Sequence, residues 1–287
     1  MSRNKINQTD SVNKDKLYLI PEGGLGNRLY AICSAIVYSQ LSHRELIIIW
    51  FKDHGCNCSF DELFSVSPEL TNVIIKNPSL KDYVLYDNPR RHNLWISLPF
   101  QKLLFDRCIY YYKDKVTLPP PLFFEKMEGH KILFVSCWKY WENEEMWKNI
   151  HINPAIDEKV NYVMSKLPQN TIGVHVRLTD NWDTTKNSPV ELFIERMKKE
   201  IGDDPTISFY LATDEPTVKT KMKELFGNRI YTSTEVVQRD TKDGIINAFV
   251  EINILSRTKK ILAGNSSFAG LASKLTGTPL NLLCLNN

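Results

Sequence analysis

The chain has 287 residues, of which 43% are hydrophobic, and this is long enough to bury the cores of two domains. Its 36 basic residues against 33 acidic ones give a net charge of +3, without the one-sided basic excess typical of nucleic-acid-binding proteins. We therefore expect no nucleic-acid partner, and any basic group that binds a ligand must act locally.

The N-terminal segment is polar and aperiodic, so residues 1–15 are predicted to be a disordered tail. No stretch of the sequence approaches the roughly 18 apolar residues of a membrane span, and no export signal is recognisable. The six cysteines are scattered, which favours reduced thiols over a disulfide framework. These features predict a cytoplasmic protein of a bacterial cell or a virus-infected host cell.

The fold is predicted to begin near Lys16 with a β-α-β unit. An apolar run at 17–20 ends in a proline and two glycines, and residues 29–41 follow with helical spacing of their apolar positions. Residues 46–50 are continuously apolar, which is typical of a strand buried in a parallel sheet. The pattern weakens over 52–125, and residues 131–135 predict the strand that closes the first domain.

Helices and strands alternate strictly in the second half of the chain. Helices are predicted at 156–167, 189–201, 215–226, 243–257 and 267–275, and strands at 171–177, 206–212, 229–232, 260–263 and 279–284. This alternation indicates a parallel sheet with ligands at the carboxyl ends of its strands. The predicted fold class is therefore α/β, with two Rossmann-like parallel-sheet domains, residues 16–150 and 151–287, facing a cleft.

A glycine-rich turn lies between the first strand and the first helix. Gly24 and Gly26, followed by Asn27 and Arg28, would let backbone amides approach an anion at the helix N-terminus. The dinucleotide-binding fingerprint needs a further glycine where Leu29 stands, which disfavours a dehydrogenase. The spacing alone leaves anion binding and a purely structural turn equally open.

The strand at 171–177 carries two polar side chains on one face. Its alternation places His175 and Arg177 together, opposite Val174 and Val176, with Arg177 at the carboxyl edge. Arg177 either binds a ligand, which we favour, or pairs with a carboxylate such as Asp180. His175 by itself is more typical of a hydrogen-bonded core histidine.

Polar residues also follow two later strands. Thr213 and Asp214 precede a helix, so a capping role is the favoured interpretation and a nucleoside contact from Asp214 is the alternative. Ser266 and Ser267 begin another helix and are suited to phosphate oxygens, to capping, or to both.

No metal or other cofactor is expected. His54, Cys56 and Cys58 are clustered, but no second pair follows at the spacing of a structural zinc site. An Asp-x-Asp motif, which would bridge a divalent ion to a diphosphate, is also absent from the sequence. The charge of any bound diphosphate must then be met by protein groups.

The ordered motifs resemble those of fucosyltransferases. Residues 23–29, Gly-Gly-Leu-Gly-Asn-Arg-Leu, are similar to the amino-terminal glycine motif of several fucosyltransferase families. Residues 173–177 with Thr179 and Asp180 resemble the His-x-Arg motif of α1,2-, α1,6- and protein O-fucosyltransferases, and residues 211–214 and 265–268 match the two motifs that follow. The resemblance spans residues 23–270, with 52–130 unmatched, and implies a GT-B-like fold and an inverting, metal-independent transfer from GDP-fucose.

The resemblance also implies roles for single residues. Arg177 would hold the β-phosphate, and His175 would support the nucleotide pocket. Ser266, Ser267 and Phe268 would line the diphosphate and the nucleoside. Asn27 and Arg28 would face the donor from the other domain.

Two positions depart from the family pattern. Leu178 stands where many α1,6 enzymes have a second arginine, and Lys259 and Lys260 stand where an acid precedes the serines. The second departure leaves the base open, so a UDP- or GDP-linked pentose or deoxyhexose is an alternative donor. A non-catalytic sugar-nucleotide-binding protein is the alternative of another class.

An inverting transfer needs a group that accepts the proton of the acceptor hydroxyl. Asp180 and Asp183, just past the strand end, are the nearest candidates, and Glu22 is a third. The expected partners are a nucleotide sugar and a glycan acceptor, with acceptor selection in the region 52–150. The sequence does not distinguish a glycan from a lipid-linked sugar or a protein.

Overall fold

The computed structural model describes residues 15–110, 127–140, 147–178, 187–235, 237 and 240–285. Its strands are, in chain order, β1 (Lys16–Pro21), β2 (Glu45–Ile49), β3 (Phe64–Val66), β4 (Val73–Lys76), β5 (Arg107–Tyr110), β6 (Lys131–Ser136), β7 (Ile150–Ile152), β8 (Thr171–Val176), β9 (Ser208–Thr213), β10 (Ile230–Tyr231), β11 (Ile261–Ala263) and β12 (Leu280–Leu282). The helices that connect them are α1 (Leu25–Leu41), α2 (Phe60–Leu63), α3 (Leu80–Leu85), α4 (Asp87–Arg90), α5 (Ser97–Leu104), α6 (Pro154–Met164), α7 (Val190–Asp203), α8 (Pro216–Phe226), α9 (Lys242–Ser256) and α10 (Ser267–Thr276).

Two five-stranded parallel sheets organise the fold. Their strand orders are β4-β2-β1-β6-β5 and β10-β9-β8-β11-β12, and a short antiparallel ribbon pairs β3 with β7. In each sheet the strand order reverses beside the first strand, β1 or β8, which is where α/β proteins open a crevice for ligands. The α/β class with two parallel sheets is as predicted, while the domain boundary at residue 150 stays a prediction.

Each sheet is covered by apolar helices on both faces. Helix α1 is buried along most of its length and, with α9 and α10, fills a core that draws residues from both sheets. The outer face of the second sheet packs Val174 and Val176 against Phe193 and Met222, which confirms the predicted alternation along β8. On the opposite face, a Cβ at Gly173 would lie 2.8 Å from a methyl carbon of Leu255, so the glycine lets α9 approach the sheet closely.

Two features differ from the sequence prediction. Helix α1 begins at Leu25, four residues earlier than its apolar spacing suggested, so the glycine motif runs into the first turn of the helix. The edge strands β4 and β5 of the first sheet come from the stretch 52–125, whose pattern predicted no elements. Within the described residues, no helix is both long and apolar enough to cross a bilayer.

Candidate functional site

The carboxyl ends of β1, β8 and β9 open onto one cavity of about 450 Å³, here called the central cleft. Residues that follow strands of both sheets line it. In a parallel sheet, the loops that follow neighbouring strands lie at the same edge, and here these edges of the two sheets face the cleft. The residues of its wall are Gly24, Leu25, Gly26, Asn27, His54, Gly55, His175, Arg177, Thr213, Asp214, Val237, Asp240, Ile245, Ala248, Glu251, Ile252, Ser267 and Phe268.

The glycine-rich turn forms one wall of the central cleft. Gly23 has a φ of +82°, which favours glycine, and Gly24 is the N-cap of α1 without a side-chain hydrogen bond. A Cβ at Gly26 would lie 3.4 Å from the carbonyl oxygen of Ser267, so the starts of α1 and α10 meet here. Gly24, Gly26 and Asn27 therefore lie where the sequence placed them, at a helix N-terminus facing the second sheet.

Arg28 lies behind this wall and not in the cleft. Its side chain is fully buried and donates from Nε to the Gly23 carbonyl at 2.8 Å, from Nη1 to the Phe51 carbonyl, and from Nη2 to Asp53 at 2.7 Å. The guanidinium also lies 5.0 Å from the centre of the Trp50 ring. The expectation that Arg28 faces a donor is corrected, because all three of its nitrogens are engaged in holding the turn.

The second wall begins at the end of β8. His175 is buried and its ring stacks on Phe268 with a centroid distance of 4.6 Å and an interplanar angle of 10°. Burial, reinforced by the charge of Arg177, lowers the pKa of His175 to about 4, so the ring is neutral at pH 7. Its Nδ1 has no hydrogen-bond partner among the described residues, which differs from the hydrogen-bonded core histidine that the sequence favoured.

Asp214 has a different structural role from the predicted helix cap. Its Oδ1 accepts from the backbone nitrogen of Leu178 at 3.1 Å and so fixes the chain just after Arg177. Glu215 caps α8 instead, by accepting from the Thr217 nitrogen. Asp214 also lines the central cleft, and its contact with a nucleoside stays a prediction.

The start of α10 contributes the last of the predicted residues. Ser266 is the N-cap, and its hydroxyl accepts from the Phe268 nitrogen at 3.2 Å. Ser267 and Phe268 line the cleft, whereas Ser266 does not. A capping serine followed by a cleft-lining serine presents both a hydroxyl and the free amides of a helix N-terminus.

Sequence reasoning missed Glu251, which lies in the middle of α9 and lines the central cleft. The side chain is 3% exposed and its Oε1 has no hydrogen-bond partner among the described residues. Burial raises its pKa to about 8, with Asp214 adding to the increase and Lys219 opposing it. The available signal was a single acid inside the apolar run Ile245–Leu255 of a helix.

The lysine pair that departed from the family pattern lies elsewhere. Lys260 donates to Glu200 on α7 at 2.8 Å, just before β11 begins, and so lies near the amino end of that strand. It therefore lies at the opposite end of β11 from the start of α10, and the buried acid of the cleft, Glu251, comes from α9 instead.

A second cavity of about 510 Å³ adjoins the central cleft, and we call it the N-terminal cavity. The two share His54 and Gly55 in their walls. The residues that line it are Glu22, Gly23, Asp53, His54, Gly55, Pro89, Arg90, Arg91, His92, Tyr110 and Val135. Burial raises the pKa of Glu22 to about 7 against the opposing charge of Arg28, and its Oε1 has no hydrogen-bond partner among the described residues.

Three other predicted features have plain outcomes. Asp180 and Asp183 lie outside the described residues, so their candidacy stays a prediction. Cys56 and Cys58 are buried, with pKa values raised mainly by burial, and Cys58 contacts Glu62 through its thiol. Among the residues that the structure describes, no three His, Cys, Asp or Glu side chains form a group that could hold a metal ion.

No protein-family model and no curated protein matches the chain by sequence. The fold, however, is similar to that of fucosyltransferase NodZ from Bradyrhizobium, with a TM-score of 0.61 and 17% identity over 96% of each chain. It is also similar to NodZ alpha-1,6-fucosyltransferase soaked with GDP-fucose, with a TM-score of 0.58 and 18% identity over 91% of this chain and 92% of that one. POFUT1 in complex with GDP-fucose matches with a TM-score of 0.61 and 12% identity over 96% of this chain and 99% of that one. The chain thus has the fold of these proteins.

Replacing Arg28 by methionine should destabilise the protein strongly. The substitution keeps much of the volume but leaves two carbonyl oxygens and the Asp53 carboxylate without their donor, so the free energy of unfolding should fall by about 3–5 kcal/mol. Urea unfolding measures this change. Arg107→Met, which removes an exposed arginine, is the matched control and should change the stability by less than about 0.5 kcal/mol; equal effects of the two would contradict the structural role.

Proposed function

We propose that this protein is an inverting fucosyltransferase that moves fucose from GDP-fucose to a hydroxyl of a glycan acceptor. The observation that carries the proposal is the composition of the central cleft. Arg177 and the start of α10 lie in the same cavity as a buried acid, Glu251, so groups suited to a diphosphate and to a guanine line one site. The shared fold with structures that hold GDP-fucose supports the same conclusion.

The diphosphate would lie against Arg177 and the first turn of α10. Amides at a helix N-terminus attract anions, and a guanidinium binds phosphate oxygens through charge-assisted hydrogen bonds worth about 1.5–3 kcal/mol. As the bond between the sugar and the diphosphate breaks, negative charge grows on the leaving oxygen, so these groups stabilise the transition state more than the ground state. Because they supply the positive charge, we propose that the transfer needs no metal ion.

The guanine would be recognised by Glu251. The Watson–Crick edge of guanine presents two adjacent donors, and a carboxylate offers two acceptors, so the pair is complementary. Uracil presents a single donor between two carbonyl oxygens, which a carboxylate would repel. This geometry favours a GDP-linked donor over the UDP-linked alternative.

Among the described residues, we propose Glu22 as the group that accepts the proton of the acceptor hydroxyl. Asp180 and Asp183 also remain candidates for this role. Glu22 lines the N-terminal cavity, which joins the central cleft at His54 and Gly55. Its pKa of about 7 is near the working range of a general base, and no described residue forms a hydrogen bond with its Oε1. An acceptor in the N-terminal cavity would place its hydroxyl between this carboxylate and the sugar.

We also propose that the protein works in the cytoplasm. All six cysteines are free and four of them are buried, as is typical of proteins in a reducing compartment. Fractionation of cells that make the protein checks this location; recovery in an oxidising compartment would contradict it.

The first test of the function is release of GDP from GDP-fucose in the presence of a mixed glycan acceptor pool. The wild-type protein should release GDP with formation of a fucosylated product, and Arg177→Ala should lower kcat/KM at least 100-fold while far-UV circular dichroism stays unchanged. A protein that binds GDP-fucose without turnover would instead be the non-catalytic binder. Transfer that survives in Arg177→Ala would contradict the assignment of Arg177.

The affinity for GDP should depend on pH through Glu251. Its pKa of about 8 in the free protein means that the carboxyl is mostly protonated at pH 6, and it must lose this proton to accept both guanine donors. GDP binding should therefore tighten as the pH rises from 6 to 8, with proton release visible by calorimetry in buffers of different ionisation enthalpy. Glu251→Gln should weaken GDP binding about 10-fold or more at pH 8 and abolish the proton release.

The rate should depend on pH through Glu22. A base is active when deprotonated, so kcat/KM should rise with pH through about 7 and level off above it. Glu22→Gln should lower kcat by at least about 100-fold and remove this pH dependence while the Kd for GDP-fucose is unchanged. A retained pH profile in Glu22→Gln would assign the base to another residue.

A further inference from the structure

The N-terminal cavity contains an arginine that the proposed chemistry does not use. Arg90 is the last residue of α4, and the centre of its guanidinium lies 4.1 Å from the centre of the Phe51 ring and 5.6 Å from that of Tyr83. Two aromatic rings thus contact the guanidinium, and Arg90 lines the wall of the cavity.

Arg90 forms no salt bridge within the part of the chain that the structure describes. Its Nε and Nη1 are buried without a hydrogen-bond partner, and no described carboxylate forms an ion pair with it. Burial lowers the pKa of Arg90, with the charge of Arg91 adding to the effect and the charges of Asp53, Asp87 and Glu22 opposing it. A half-buried guanidinium that lacks both hydrogen bonds and an anion is costly unless a ligand supplies them.

The other charges of the N-terminal cavity do not balance Arg90. Asp53 is already paired with Arg28 and accepts from the Gly55 nitrogen. Among the described residues, Glu22 is the only other carboxyl in the wall of this cavity, and it is the group that must stay free to receive a proton. Asp87, outside the wall, accepts from the Leu94 nitrogen. With Arg91 also in the wall, the cavity has a surplus of positive charge.

We propose that the acceptor carries an anionic group, a carboxylate or a phosphate, that Arg90 binds in the N-terminal cavity. This inference rests on the proposed function, because it names the acceptor class of that site. The anion would give the guanidinium its missing counter-charge and orient the acceptor so that a hydroxyl lies toward Glu22 and the central cleft. A neutral glycan would leave the charge of Arg90 buried and unpaired, which selects against it.

Binding of matched sugars to the GDP-loaded protein tests the inference. The probes are methyl β-glucuronide, its neutral counterpart methyl β-glucoside, and methyl glucoside 6-phosphate, titrated by nuclear magnetic resonance. The wild-type protein should bind at least one anionic probe about 10-fold or more tightly than the glucoside. The stronger of the two identifies carboxylate or phosphate as the recognised group, and equal binding of all three probes would overturn the inference.

Variants assign the discrimination to Arg90. Arg90→Gln should remove the preference for the anionic probe, Arg90→Lys should keep part of it, and Arg107→Gln, which removes an exposed arginine outside the cavity, should keep all of it. A preference that survives in Arg90→Gln would overturn the assignment. If Arg90→Gln does not fold, the lysine variant and the wild-type comparison still decide the question.

The same samples separate this inference from the proposed function. GDP binding is measured first, by calorimetry, on the wild-type protein. Failure to bind GDP with a preserved anion preference would contradict the function and leave the anion site standing. Normal GDP binding without any anion preference would overturn the inference alone.

Discussion

The site depends on one buried guanidinium. Arg28 joins the glycine turn after β1 to the loop after β2, through the carbonyls of Gly23 and Phe51 and the carboxylate of Asp53. That junction is the wall between the central cleft and the N-terminal cavity, because Gly55 packs directly on Gly23. Without the arginine, the two carbonyls and the partly exposed Asp53 carboxylate would lose the donor that joins them, and neither cavity would keep its shape.

The other charged side chains of the site are divided between the central cleft and the N-terminal cavity, and each set suits the chemistry proposed for its cavity. Arg177 and the start of α10 concentrate positive potential where a diphosphate would lie, while Glu251 is buried among the apolar residues of α9. On the other side of the wall, Glu22 and Arg90 form a second acid and cation without bonding to each other. Burial tunes both acids, since it raises the pKa values of Glu22 and Glu251 toward neutrality.

Much of the fold was predictable because its parallel strands are buried on both faces and read as apolar runs. The same logic placed the cleft, since Gly26, Arg177 and Ser267 follow strands whose ends meet. Arg28 and Glu251 show why the rest was not. A basic residue in a glycine motif, such as Arg28, is typical of an anion ligand, and only the structure shows that carbonyl groups surround it. An acid on a helix, such as Glu251, is identified as a candidate ligand only when tertiary packing buries it. The edge strands β4 and β5 were missed because they are short and only partly buried, so their residues lack the pattern of a central strand.

The contact between Gly23 and Gly55 limits how the specificity of this protein can be altered. A Cβ at position 55 would lie 2.6 Å from the Gly23 carbonyl oxygen, so any side chain there would push the shared wall into one pocket or the other. Libraries that aim to change the acceptor should therefore leave the backbone of 53–55 intact and diversify the exposed Arg91, which lines the same cavity. His92, with a φ of +61°, is less suited to substitution. The wall formed by Gly23 and Gly55 should therefore tolerate few substitutions, whereas the exposed edge of the N-terminal cavity should tolerate redesign.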